Sequence, residues 1–320
     1  MQPTKAQIHE DVVLTSFAQQ YFQKLSNFVA GLVFPVVPVT KSSDKYRIWT
    51  KDYWMRDEAK RRAPGTPAVR TGYKLSTDTY STDNSSIAAE IPDEARRDGD
   101  ADINLDRAAT RLVSSRLALR REKQWLGDFF ATSKWGTDKV VASKWNDYAN
   151  SDPISDIEEG KETVRISTGF VPNVLTLGAQ VWRYLKNHPD IVDRLGMGGS
   201  AKETRVVTLD AVAAIFELDA IYVARGVEAT SAEGATVVTA DLAGKHALLT
   251  YSSGQPSNEE PSAGVTFALD TASIVEGLPG LTISRLRDAI AHTDLVEGNL
   301  EWDNKVVGSD LGYFFNGVVS

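Results

Sequence analysis

Two stretches of the chain alternate apolar and polar positions with the two-residue period of an extended strand. In residues 45–54, Tyr46 and Ile48 alternate with Arg47, Trp49 and Lys51; in residues 71–80, Tyr73, Leu75, Thr77 and Thr79 share one face. Residues 56–70 between them are polar and broken by Pro64, Gly65 and Pro67, a composition that excludes core. The pattern predicts a two-stranded ribbon with a broad tip. Such a ribbon is marginal alone in water, so it is expected to rest on something else.

After a break at Pro92 and Gly99 the period changes. Residues 102–131 contain no proline and only Gly127 near the end, while Leu105, Leu112, Leu119 and Leu126 recur every seven positions. This predicts a helix about 45 Å long, capped by Asp102, with the four leucines as its buried stripe. The second seam of a coiled coil is interrupted by Arg116 and Lys123, so the expected partner of the stripe is a sheet, with Trp125, Leu126, Phe129 and Phe130 anchoring its far end.

The remaining pattern is mixed. Residues 28–39 are strongly apolar, but they are shorter than a membrane span and hold Pro35 and Pro38, so they are expected to form an extended strap against other protein. Residues 147–162 read as an acidic connection. Beyond them the chain predicts a strand at 173–177, a helix at 178–187 interrupted by His188-Pro189, and a further helical turn from Asp190 to Gly196. Next come a helix capped by Thr208 over 209–218, a strand at 220–224, and strands near 246–251, 265–269, 281–287 and 296–302. Strands and helices in this order define an α+β chain.

Charge alters the picture at the ribbon. The chain has a formal net charge of −8, yet residues 41–75 hold ten Lys or Arg against four Asp or Glu, a local +6 that leaves about −14 on the rest. A basic arm and an acidic body can attract each other between copies. The residues expected to make that contact are Arg56, Lys60, Arg61, Arg62 and Arg70, with Trp49 and Trp54. Bases interleaved with Trp49, Tyr53, Trp54 and Tyr73 could also stack on and neutralise a nucleic acid, but the chain as a whole lacks the basic footprint of a nucleic-acid binder. A plain solvated loop is the third reading.

Catalytic and metal chemistry find little support. Cysteine is absent, which removes disulfides and thiolate ligands and fits a reducing compartment. His9, His188, His246 and His292 are scattered, and Val13 stands where a zinc-protease motif beginning His9-Glu10 needs its second histidine. Gly196 to Ser200 follows a helix instead of joining a strand to one, so it is a helix stop and not a phosphate loop. There is no nucleophile elbow, and Asp156, Glu158 and Glu159 lie in a solvated acidic run. No cofactor is expected, and residues 1–27 lack the apolar core of a signal peptide.

Four phrases occur in a telling order: Leu32-Val-Phe-Pro-Val-Val-Pro-Val-Thr-Lys41, Arg62-Ala-Pro-Gly65, Ile91-Pro-Asp-Glu94 and Leu117-Ala-Leu-Arg-Arg-Glu-Lys-Gln124. In that order, over nearly the whole chain, the sequence resembles the major capsid proteins of tailed bacteriophages with the HK97-type fold. The resemblance implies an N-terminal arm at 1–44, an extended loop at 45–90, a peripheral domain at 91–165 and 288–320 carrying the long helix, and an axial domain at 166–287.

The same resemblance implies a structural protein without enzymatic activity. It would assemble as hexamers and pentamers into an icosahedral shell in the host cytoplasm and contact packaged double-stranded DNA non-specifically. A separate scaffolding protein, a portal and cement proteins are the further partners it suggests, and no membrane is involved. Some family members join subunits through a Lys to Asn bond assisted by a glutamate. Lys51, Lys60 and Lys74, with Asn299, Asn304 and Asn316 and with Glu297 and Glu301, are of the right types but match no motif. An encapsulin, a protein compartment of the same fold, is the alternative.

Overall fold

A computed structural model describes residues 23–49, 51, 55–72, 75–98, 104–196, 207–232, 234–255, 260–269, 278 and 280–320. The strap begins it. Phe28, Val29, Ala30, Val33 and Phe34 are buried, and the chain then straightens into β1 (Val36–Val39), parallel to β11 (Gly264–Leu269).

Strands β2 (Ser43–Trp49) and β3 (Leu75–Ser81) form the expected antiparallel ribbon, with Tyr46 opposite Asp78 and Asp44 opposite Tyr80. Its faces are assigned differently from the sequence reading. Thr77 and Thr79 are exposed and Tyr80 is buried, because Tyr80 stacks on Phe267 of β11 at 4.6 Å while Tyr46 meets the same ring at 5.3 Å. Two aromatic rings on one face outweigh threonines on the other. Tyr73 lies outside the described residues.

β4 (Asp83–Pro92) then enters a five-stranded sheet. Its central strand is β13 (Thr293–Val306), which pairs antiparallel with β4, with β12 (Leu281–Asp288) and with β11. A short helix α1 (Asp93–Asp98) follows, then the long helix α2 (Leu105–Phe129). The cap is Asn104, whose side chain accepts from Arg107 N–H at 2.9 Å, not Asp102, which lies outside the described residues. At 25 residues α2 is about 38 Å long.

The heptad leucines are not its buried stripe. Leu126 is buried, Leu105 and Leu119 are half-buried, and Leu112 is 41% exposed. The buried row is Ala109, Val113, Leu117, Arg121, Trp125 and Phe129, every fourth residue. Each step of four carries a position about 40° further round the helix, so the buried face winds as α2 passes from one sheet to the next, whereas a heptad drifts the other way. Ala109 packs with Ile91 and Val296; Val113 and Leu117 pack with Leu281, Leu300 and Trp302; Trp125 and Phe129 reach Val33, Phe34 and Phe314. Gly298 makes the approach to the sheet feasible, since a Cβ there would stand 2.4 Å from Val113 Cγ1.

The second sheet runs β5 (Thr137–Lys139), β14 (Gly312–Phe315), β10 (Ala247–Thr250), β6 (Val174–Gly178), β7 (Ala220–Ala224), with parallel pairings at both edges. Residues 147–162, expected to be a connection, supply most of helix α3 (Pro153–Thr168). Asp152 caps it by accepting from Ile154 and Ser155 N–H, Pro153 opens it, and Ile154, Ile157, Gly160 and Val164 bury a helical stripe among the acids. Helices α4 (Ala179–Leu185), α5 (Pro189–Gly196) and α6 (Leu209–Ile215, capped by Thr208) complete this core, and β8 (Val227–Ala229) pairs with β9 (Thr239–Asp241) in a small hairpin.

Candidate functional site

The basic residues singled out from the sequence lie together on one exposed segment. Arg56, Lys60, Arg61, Arg62 and Arg70 all fall in residues 55–72, a stretch without helix or strand and almost wholly exposed. Trp49 ends β2 opposite Leu75, and Trp54 lies outside the described residues. The segment leaves from an anchored base. Tyr46 and Tyr80 hold the ribbon to Phe267, Ser81 N–H donates to Asp303 at 2.9 Å, and Lys51 pairs with Asp310 beside β14. Burial and the neighbouring Asp78 push the Tyr46 hydroxyl pKa upward, which keeps it a donor to that carboxylate at 3.0 Å. The base of the ribbon is thus fixed, while its tip is long, basic and exposed.

Sequence reasoning missed a polar pair in α2. Glu122 is fully buried and accepts hydrogen bonds from Val29 and Ala30 N–H, and its neighbour Arg121, also buried, donates to Ala30 carbonyl oxygen at 3.4 Å. Burial raises the Glu122 pKa and brings that of Arg121 down to about 10. The sequence signal was present: Arg121 interrupts the four-residue spacing of Leu117, Trp125 and Phe129, and Glu122 that of Ala118, Leu126 and Phe130.

At the other end of α2 an ionic cluster ties α1 to the β12–β13 turn. Arg287 donates to Asp93 at 2.5 and 2.6 Å and to Asp294 at 2.9 Å, and Arg96 bridges Asp106 and Asp294 at 2.9 and 3.0 Å. The Arg287 guanidinium holds the Asp93 carboxyl below its ordinary range.

One trio has the residue types of a hydrolase: Ser151, His188 and Asp190. Ser151 Oγ lies 3.0 Å from His188 Nε2, but Asp190 N–H donates to Nδ1, so the ring proton sits on Nε2 and faces the serine. The ring therefore cannot take the serine proton, and Ser151 donates instead to Asp147 carbonyl oxygen at 2.7 Å. It is a buried lock between loops. Among the described residues no cluster of three His, Asp or Glu could hold a metal ion, and no helix is long and apolar enough to cross a membrane. Lys51 of the cross-linking set is paired with Asp310, Asn299 with Glu297, and Asn304 with Thr266 and Asp128.

Ribbon, long helix across a sheet centred on one long strand, and a second mixed sheet closed by the C-terminal strand define the HK97-type fold, that of tailed-phage capsid subunits. The comparisons with known proteins agree. The chain is 26% identical over 317 residues to the major capsid protein of Burkholderia phage BcepMu, covering 96% of each. The crystal structure of a phage-related protein from Bordetella bronchiseptica RB50 superposes with a TM-score of 0.68 at 26% identity, over 96% of this chain and 97% of that one. The capsid protein of cyanophage P-SCSP1u has the same fold, with a TM-score of 0.61 at 12% identity over 93% and 89% of the two chains. No protein-family model matches the sequence.

Proposed function

We propose that this chain is the major capsid subunit of a tailed bacteriophage, a structural protein that self-assembles into an icosahedral shell around double-stranded DNA. The observation that carries the reading is the end-to-end correspondence with the capsid protein of the Burkholderia phage, 96% of both chains. The basic tip supports it, because an exposed segment this long gains order only against a partner.

On this reading residues 1–44 are the arm, 45–90 the extended loop, 91–165 with 288–320 the peripheral domain and 166–287 the axial domain. The division is drawn with one adjustment: β4 pairs along β13, so the free part of the loop ends near Ser81. Copies associate as hexamers and pentamers, with a scaffolding protein, a portal and cement proteins as further partners. Assembly takes place in the host cytoplasm, and the shell then belongs to the virion.

Expression of the chain with sedimentation and electron microscopy of the product tests the proposal. Megadalton closed shells are expected, and a small particle under all conditions overturns it. Shell contents separate the two kinds of container: DNA in infected-cell particles supports the capsid, whereas a specific protein cargo supports an encapsulin-type compartment.

A further inference from the structure

The leucines that recur every seven residues along α2 are not absorbed by the subunit's own core. Leu105 and Leu119 are half-buried and Leu112 is 41% exposed, although all three lie on one side of the helix, drifting only about 20° per heptad. That side opens onto a groove of about 390 Å³ between α2, β4 and α1. Its walls are apolar: Ala89, Ile91 and Pro92 of β4, Ala95 of α1, and Ala108 and Leu112 of α2; the charged residue lining it is Glu90. Farther along α2 the same side turns basic. Arg116, four residues after Leu112, and Arg120, next to Leu119, are exposed, and among the described residues neither side chain makes a hydrogen bond or ion pair. Lys123 follows them and pairs with Glu228.

Apolar residues at seven-residue spacing are the seam that one helix offers to another, and charges beside the seam select the partner. A groove walled by small side chains admits a helix laid along α2. The occupant is not a second α2, because the exposed positions of α2 include five cations and no carboxylate. Nor is it α3, the other helix longer than eight residues among those described. That helix buries Ile154, Ile157 and Val164 in its own core and turns Glu158, Glu159 and Glu162 outward. Duplex DNA would be drawn to Arg116 and Arg120, yet it binds through its phosphates, for which Leu112 and an apolar groove offer no contact.

We propose that this face of α2 is the docking site for an amphipathic helix of a second polypeptide, one with leucine-type side chains at seven-residue spacing and carboxylates placed to meet Arg116 and Arg120. From Leu105 to Arg120 the face runs about 23 Å, so about four turns of partner helix cover it. Leu112 is the central anchor, and the two arginines fix register and direction. The inference goes beyond the shell-subunit reading and does not need it, because the face is complete within one subunit.

The probe is a fluorescein-labelled synthetic helix of about three heptads, with leucine at the seam positions and glutamate beside them, titrated into unassembled full-length subunits. A peptide of the same composition in scrambled order is the control. Saturable binding is expected, weaker by about tenfold or more for the scrambled peptide and for Leu112→Asp. Arg116→Glu with Arg120→Glu should weaken the glutamate peptide by a similar factor and restore binding to a peptide with lysine in place of glutamate, a rescue that misfolding cannot give. Equal affinity for the ordered and scrambled peptides, unchanged affinity of Leu112→Asp, or no rescue by the lysine peptide overturns the proposal. Two further outcomes overturn it by assigning the face elsewhere: subunit dimers that dissociate on Leu112→Asp point to a second copy, and duplex binding lost with the arginine pair, in a chain that ignores the peptide, points to DNA. Shell formation is scored separately by sedimentation. A chain that forms shells but ignores the peptide refutes this inference alone, and one that binds the peptide without forming shells refutes only the shell reading.

Discussion

The carboxylate of Glu122, in the middle of α2, accepts a hydrogen bond from Val29 N–H at 3.0 Å and one from Ala30 N–H at 2.9 Å, in a site closed to solvent. Two backbone donors of the strap thus end on one buried acid, and without it both would be orphaned in the core. Hydrogen bonds to charged groups contribute about 1.5–3 kcal/mol each, so Glu122→Ala should cost on the order of 3–6 kcal/mol. Glu122→Gln, which keeps one acceptor oxygen, should cost clearly less. Thermal or denaturant unfolding of unassembled subunits checks the order, and an alanine variant as stable as the glutamine variant would disprove the clamp.

The winding stripe of α2 makes a second ordering testable. Leu117, buried against Leu300 and Trp302, should cost about 2–5 kcal/mol when cut to alanine, through lost burial and the cavity left behind. Leu112→Ala, at a position 41% exposed, should cost well under half as much. Gly298→Ala should also destabilise, by about 1–3 kcal/mol, because the new methyl meets Val113. Equal losses from Leu112→Ala and Leu117→Ala in chemical denaturation would mean that the helix is rotated from the position described.

Both results bear on what sequence alone conveys here. The ribbon, the long helix, the strand at Ala220–Ala224 and the Thr208 cap were legible because each depends on local period or local capping. Which helix face is buried was not. That depends on α2 crossing from one sheet to another, a long-range relation that a heptad of leucines does not encode. Helix α3 was hidden for a related reason: Glu158, Glu159 and Glu162 are on the surface and dominate composition, while Ile154, Ile157 and Val164 carry the helical spacing and Asp156, expected in a solvated run, is half-buried and accepts from the Trp145 indole N–H at 2.8 Å. The basic tip was legible as charge, because its cations lie close together along the chain.

Contact with DNA should be weak and blind to sequence. The chain carries a net −8, and the stretch with a strong local excess of cations is the ribbon, so it lacks the broad basic surface that tight binding needs. Unassembled subunits titrated with unrelated duplexes should give equal, salt-sensitive binding that fades by physiological ionic strength. A tight complex with one duplex and not another at that salt concentration would contradict this.

The lock at His188 should make the subunit acid-labile. Burial lowers its pKa below the ordinary 6.5, against the opposing pull of Asp190 and Asp152. The neutral ring accepts from Asp190 N–H at Nδ1 and meets Ser151 Oγ at Nε2, and the Asp190 carboxylate, 3.5 Å from Nδ1, offsets the effect of burial only in part. With the folded pKa depressed, the unfolded chain binds the extra proton more readily. Stability is therefore full above about pH 6.5 and is lost as pH falls from there through the folded pKa. His246, also lowered by burial and accepting from Gly317 N–H, adds to the same slope. Unfolding midpoints between pH 7.5 and 5 are expected to fall for the unmodified chain and to fall less steeply for His188→Gln, at some cost in stability at pH 7.5. Parallel curves for the two proteins would remove His188 as a source of the acid sensitivity.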